Sequence, residues 1–502
     1  MKRIFKSFLV VLIAVCVAFP LVACKKKVSP TTTNVDKVKI VNGVSTNGGL
    51  TVVHGEYLYF INGEKTNDGK SQSGNKKSAI CRVKYDVATG KTSGDMEVVV
   101  DELVGFKYGT LHVFGDYLYY TTPCADKNSS ATVLYNKVCF KRYDLVNEKS
   151  YTIYTTALNS SSEVVEYAYY VSGESLNLVV YEKTNATVTS VKVDTEVSTN
   201  YVISEVADCV LSETYGKPQT SATVDANSFV FYTKYPEKED AQQTGVRVFK
   251  TSPTTDNSVL ISKGASITLL SIRAGKLMYT YDSVTCAQTI TASKDETLRL
   301  DKTNCISRAD VKAIYIENYK LEGKDENAKL VRSEGDITVL AFTENKDAKA
   351  YYFSLFQWAN VNEPISHTNV SFLTSATDFE FIGLTTVEEI TVEDDEDTDE
   401  NEEQKAKFLY AVYKENKKLY KVQIASLEDG NSDSMKVSIH SERVQLSGST
   451  LTATTGTLLP EAIGNYLFIL AEDDKKNNYL IKVDLSVTKN NTDATDKFAI
   501  TE

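Results

Sequence analysis

A short strand opened by a turn residue and filled with tyrosine recurs along the chain, and this repetition narrows the fold more than any other feature. Gly55-Glu56-Tyr57-Leu58-Tyr59-Phe60 returns as Gly115-Asp116-Tyr117-Leu118-Tyr119-Tyr120 and, near the end, as Gly464-Asn465-Tyr466-Leu467-Phe468-Ile469. Looser copies stand at Glu166–Tyr170, Asn227–Tyr232 and Gly275–Tyr279. A second strand follows after a variable segment: Ile80–Asp86, Val138–Asp144, Val246–Phe249 and Tyr479–Asp484. Three of these end on a basic residue, an apolar residue and aspartate, as in Lys84-Tyr85-Asp86. An aspartate there opens a turn and accepts from the amides that follow, so Asp86, Asp144 and Asp484 have a structural duty.

Period-two alternation and abundant Tyr, Val, Ile and Thr predict strands throughout. The best helical stretch, 402–422, divides at Lys414-Glu415-Asn416-Lys417 into two strand-like halves and reads as another hairpin. The repeats recur at roughly 50 to 70 residues, compatible with four strands and their loops. The fold class is therefore all-β, a propeller of seven or eight blades over 46–502, with two packed sandwich-like domains as the alternative. The repeat resembles bacterial extracytoplasmic β-propellers whose blades begin G-[DE]-x-L-Y-[FY], most closely in the first two copies and the last. With Trp358 as the only tryptophan, the tryptophan-docking blades of quinoprotein-like propellers are excluded. The sialidase box and the W-D dipeptide are missing too.

The first residues carry an address. Lys2, Arg3 and Lys6 precede an apolar run from Phe8 to Phe19 closed by Pro20, the layout of a secretory signal peptide over 1–23. The run is shorter than the roughly 20 residues a spanning helix needs. Leu21-Val22-Ala23-Cys24 resembles the bacterial lipobox, which implies cleavage before Cys24 and a diacylglycerol thioether on its sulfur. A lipoprotein on the extracytoplasmic side of a cell membrane is the expectation, since two or more acyl chains make a stable anchor. Residues 24–45, with Lys25-Lys26-Lys27 and Ser29-Pro30-Thr31-Thr32-Thr33-Asn34, then read as a polar linker.

The formal charge of −12 becomes about −15 once the three basic residues of the leader are removed, which excludes nucleic acid as the main partner. Exported proteins form disulfides. Of the six cysteines after Cys24, the pairs Cys124 with Cys139 and Cys286 with Cys305 are close in sequence and are the candidate bridges, with isolated buried thiols as the alternative. No C-x-x-C, H-E-x-x-H or G-x-S-x-G pattern occurs, so no catalytic, metal or cofactor residues are nominated. Gly90-Lys91-Thr92 is a hairpin turn, not a phosphate loop. His54 and His112 sit at different offsets from their strands and read as isolated surface or strand histidines. The acidic run Glu393–Glu403 lacks the glycine and the glutamate of a calcium loop; the insertion 388–404 reads as a solvated loop.

Two functions follow from these expectations. The first is a membrane-anchored binding or scaffold module for an envelope protein, peptide or glycan. The alternative is an extracytoplasmic hydrolase or lyase acting on polysaccharide.

Overall fold

The computed structural model describes residues 45–46, 50–62, 64–65, 79–104, 111–124, 137–157, 165–172, 175–193, 199–211, 229–234, 246–250, 259–262, 267–273, 276–281, 284–289, 319–320, 327–334, 337–345, 350–360, 363–373, 380–393, 402–427, 435–437, 443–447, 452–454, 462–472, 477–490 and 494–498. Every regular element among them is a strand. The strands form eight antiparallel sheets in chain order. We number them I (45–100), II (112–155), III (165–203), IV (206–262), V (267–289), VI (319–373), VII (380–445) and VIII (452–498).

The absence of a polar face has a direct cause. In sheet I, Leu58 and Phe60 pack against sheet VIII, whereas Tyr59 and Ile61 pack against sheet II. Sheet II sends Leu118 and Tyr120 toward I and Tyr119 toward III. Sheet III sends Leu178 and Val180 toward II, with Val179 and Tyr181 toward IV. Period-two alternation thus serves two neighbours at once, and both registers are apolar. Sheets IV and V touch through Val206–Val210 and Ile267–Arg273, and sheets VI and VII through Asn327–Glu334 and Glu380–Glu393. Sheet VIII buries Leu467 and Ile469 against VII, and Phe468 and Leu470 against I. The last sheet therefore packs on the first. This is a β-propeller, in which neighbouring sheets meet through strands such as Thr51–His54 with His112–Phe114 and Val206–Val210 with Ile267–Arg273.

Three devices close the ring. Phe498 stands edge-on to Phe60 at 4.8 Å and to Phe468 at 5.2 Å, contacts that contribute about 0.5–1.5 kcal/mol each beyond area burial. Tyr466 Oη donates to Thr89 O at 2.8 Å, and Lys482 Nζ donates to Gly90 O at 3.0 Å. Glu64–Lys65, from the connection between two strands of sheet I, pairs with Asn477 and Asn478 of sheet VIII. The close approach of Tyr466 requires Gly90: a Cβ there would lie 2.2 Å from the tyrosine ring.

The repeated glycine is also explained. His54 pairs with Tyr57 across Gly55-Glu56, and Phe114 pairs with Tyr117 across Gly115-Asp116. Gly55, Gly115 and Gly464 all have φ near +60° while the residue after each does not, the pattern of a type II′ hairpin. The hairpin predicted within 402–422 is present, but its turn is the shorter Asn416-Lys417, both at positive φ as in a type I′ turn. Residues Glu166–Tyr170 are not a copy of the strand after the glycine turn. They belong to the first strand of sheet III, and the true counterpart is Ser175–Glu182, which follows Gly173-Glu174.

The outer strand of sheet I, Lys91–Val100, is mostly exposed. Gly94, at φ +75°, sits where its pairing slips against Arg82–Lys84. Such a bulge blunts an open edge against pairing with another chain.

Candidate functional site

Strand direction assigns each connection around sheets I and II to one of two ends. Turns between first and second strands (55–56, 115–116) and between third and fourth strands (87–90, 145–148) lie at one end. Connections between second and third strands (62–79, 125–136) and between sheets (101–111, 156–164) lie at the other. Contacts between sheets agree. At the turn end, Tyr466 meets Thr89. At the loop end, Lys141 Nζ pairs with Glu102 Oε2 at 2.6 Å. There, too, Glu182 accepts from Tyr154 Oη at 2.6 Å and from the Ala157 amide at 2.9 Å. Sheet IV departs from this division, since its longest connection, 211–228, lies at the turn end.

The turn end is built from repeated polar devices. Asp86 Oδ1 accepts from the amides of Ala88 and Thr89, Asp144 Oδ1 from those of Val146 and Asn147, and Asp484 Oδ1 from that of Ser486. The aspartates hold their turns, as the sequence predicts. Hydrogen bonds from Thr89 and Ala88 keep the Asp86 carboxyl below the usual carboxylate range. A basic residue on the strand that ends in each aspartate also has a repeated role. Arg82 lies 4.8 Å over Tyr57, Arg142 4.6 Å over Tyr117, and Lys482 5.6 Å over Tyr466. Each cation covers a half-buried ring next to a turn, an attraction worth about 0.5–2 kcal/mol.

Between sheets I and II these parts gather into a polar cluster. Arg82 holds Glu97 at 3.0 Å. His54 is half-buried, with its Nδ1 enclosed and lacking a hydrogen-bond partner. Burial pushes its pKa down, while Asp116 on the neighbouring sheet acts in the opposite sense. Burial likewise pushes the Tyr59 phenol up, opposed by Arg82. His54 is therefore neutral near pH 7, and Arg82 with Glu97 forms a fixed ion pair at the seam.

His112 is a strand residue, one of the two positions expected for it, and not a surface one. It is 0% exposed, opposite Tyr119 on the paired strand and 5.2 Å from the Tyr169 ring of sheet III. Both ring nitrogens and the hydroxyls of Tyr119 and Tyr169 are enclosed without a hydrogen-bond partner in the structure. Burial pushes the His112 pKa down to about 3. The sequence carries no signal for this, because both faces of the strand are core.

Cys124 and Cys139 lie at the loop end of sheet II, at the base of the connection 125–136. Thr122 pairs with Cys139 and Cys124 with Lys137, which sets the two Cα atoms 5.8 Å apart, inside the range a disulfide spans. Cys286 lies on Val284–Thr289, whereas Cys305 and Cys24 lie outside the described residues. Cys81 and Cys209 are buried, and burial pushes the Cys209 thiol well above its ordinary value, so it is a poor nucleophile. The acidic insertion 388–404 begins and ends in paired strands, Glu380–Glu393 and Glu402–Glu415, with 394–401 outside the described residues. Among the described residues no group of three His, Cys, Asp or Glu side chains is arranged to hold a metal, and no helix is long and apolar enough to cross a membrane.

The fold and its closure define the class: a β-propeller module. No protein-family model matches the chain and no curated relative matches it. Solved structures give distant likenesses. A prolyl endopeptidase has 10% identity and a TM-score of 0.35, over 77% of this chain and 50% of that one. A post-proline cleaving enzyme from Rickettsia typhi has 12% identity and a TM-score of 0.36, over 88% and 58%. A quinonprotein alcohol dehydrogenase-like protein from Bacteroides thetaiotaomicron has 10% identity and a TM-score of 0.30, over 66% and 67%. The chain spans about half the length of the peptidases it matches. Likenesses this distant carry no argument about activity, and the fold rests on the pairing and packing given above.

Proposed function

We propose that this chain is a lipid-anchored binding module outside the cell, tethered through Cys24 and taking an envelope protein, peptide or glycan at the loop end of sheets I and II. What supports the reading is the division between the two ends: tight turns locked by aspartates at one, and 62–79, 101–111, 125–136 and 156–164 at the other. Binding residues concentrate on loops held by a rigid scaffold. A bridge between Cys124 and Cys139 would clamp the base of 125–136 and lower the ordering cost of binding.

The test is retention on immobilised cell-wall glycan and on envelope proteins from the producing cell. Replacing 125–136 by a two-residue Asn-Gly turn is expected to abolish retention while leaving the melting temperature within a few degrees. Retention that survives removal of this connection, and replacement of 105–110 by Gly and Ser in a second variant that keeps the buried Val104 and Leu111, would contradict the assignment to the loop end.

A further inference from the structure

The first described strand fixes where the chain enters the propeller. Ser45 pairs with Val53 and Thr46 with Val52, antiparallel to Thr51–His54, on the axial edge of sheet I. Thr51–His54 runs toward the Gly55-Glu56 turn, so Ser45 is nearer that turn than Thr46 and the strand enters sheet I from the turn end. The last strand points the other way. Thr495 pairs with Val483 and Phe498 with Leu480, while Val483 adjoins the Asp484 turn. The chain after Phe498 therefore leaves toward the loop end.

We infer that the propeller stands on the membrane by its turn end and holds its loop end outward. The inference rests on the tether at Cys24 proposed above and adds a direction to it. A chain from Cys24 to Ser45 spans at most about 70 Å when fully extended and roughly 25 Å as a free coil. The ends of the Lys91–Val100 strand are separated by about 30 Å. A coil shorter than the body it carries keeps the end it enters closer to the bilayer. The turn end is compact around sheets I, II and VIII, with Thr89, Gly90, Tyr466 and Lys482 bonded across the seam. Around these three sheets it therefore faces the lipid with tight turns, and the connections of sheets I and II that would recognise a partner stand on the side where an envelope protein or glycan lies.

Ala88 and Asp101 report on the two ends, because both are exposed and flank the single strand Lys91–Val100. Full-length lipidated protein would carry p-azidophenylalanine in place of Ala88 or of Asp101, coupled to a donor dye. It would be reconstituted into vesicles bearing a headgroup-linked acceptor. Energy transfer from position 88 is expected to exceed that from 101, given the roughly 30 Å of strand between them. Equal transfer, or more from 101, overturns the orientation. Flotation of the same protein with vesicles, and its loss in Cys24→Ser, is read separately. Protein that never floats overturns the tether and the orientation together, whereas protein that floats with equal transfer overturns the orientation alone.

Discussion

His112 is the residue at which burial and chemistry conflict most sharply. Its folded pKa, down at about 3, lies below the ordinary value of about 6.5, so the unfolded chain binds one more proton between those values. The stability that depends on a neutral His112 is complete above pH 6.5. It falls as pH drops through the window toward 3, by about 1.4 kcal/mol per unit. His112→Phe keeps a ring against Tyr169 and removes both nitrogens. Melting curves between pH 4 and 7 should therefore be flatter for this variant than for the parent, and an unchanged slope would show that His112 is solvated. Asp144 is the second informative residue. It is 2% exposed and accepts from two amides and from Asn147 Nδ2. Asp144→Ala leaves those donors unpaired and should cost about 2 kcal/mol in denaturant unfolding. At the loop end, non-reducing peptide mapping of exported protein should recover Cys124 joined to Cys139, and recovery of both as free thiols would exclude the clamp.

At the scale of strands and turns, the fourth residue of a four-residue loop is left-handed in three places: Gly90 at φ +64°, Glu148 at +53° and Ala186 at +51°. A Cβ in that region costs about 1 kcal/mol. Ala186→Gly should accordingly raise stability by several tenths of a kcal/mol to about 1, after the added freedom of the unfolded chain is subtracted. Gly90→Ala should destabilise by about 2 kcal/mol or more, since it adds the same strain and strikes the Tyr466 ring. Thermal or urea unfolding of the two variants reads both signs. These turns also show how far the sequence is legible. Gly-acid followed by Tyr-Leu-Tyr identifies the second strand in sheets I and II because the II′ turn and the aromatic core coincide there. In sheet III the Gly-acid pair is followed in sequence by the largely aliphatic strand Ser175–Glu182, so the tyrosines of the preceding strand imitate the motif. Gly335-Asp336, between the paired Glu334 and Ile337 of sheet VI, is likewise followed by a strand without tyrosine, Ile337–Asn345. The seam cluster was legible only in part. Its arginine and tyrosine belong to the repeat, but the meeting of His54 and Asp116 depends on the packing of two sheets, which no local pattern encodes.

The whole molecule is a ring held by one join between distant parts of the chain. The propeller buries both faces of sheets I, II, III and VIII, so opening the join would expose Phe60, Phe468 and Phe498 together. A two-domain body would instead keep these residues in separate cores. The central claim is this closure, and one pair of positions reads it directly. A Cβ on Gly464 would lie 3.3 Å from Val87 Cγ1 and 2.7 Å from Val87 O, so a cysteine there pushes the 87–90 turn back by a few tenths of an ångström and then stands within bridging range of a cysteine at 87. The measurement is mild oxidation of the body from residue 46 onward carrying Val87→Cys and Gly464→Cys, followed by non-reducing peptide mapping. A closed ring predicts a 87–464 crosslink within one chain at high yield. Recovery of both cysteines unlinked, in protein that remains folded, would contradict the closure and favour two separate β-domains.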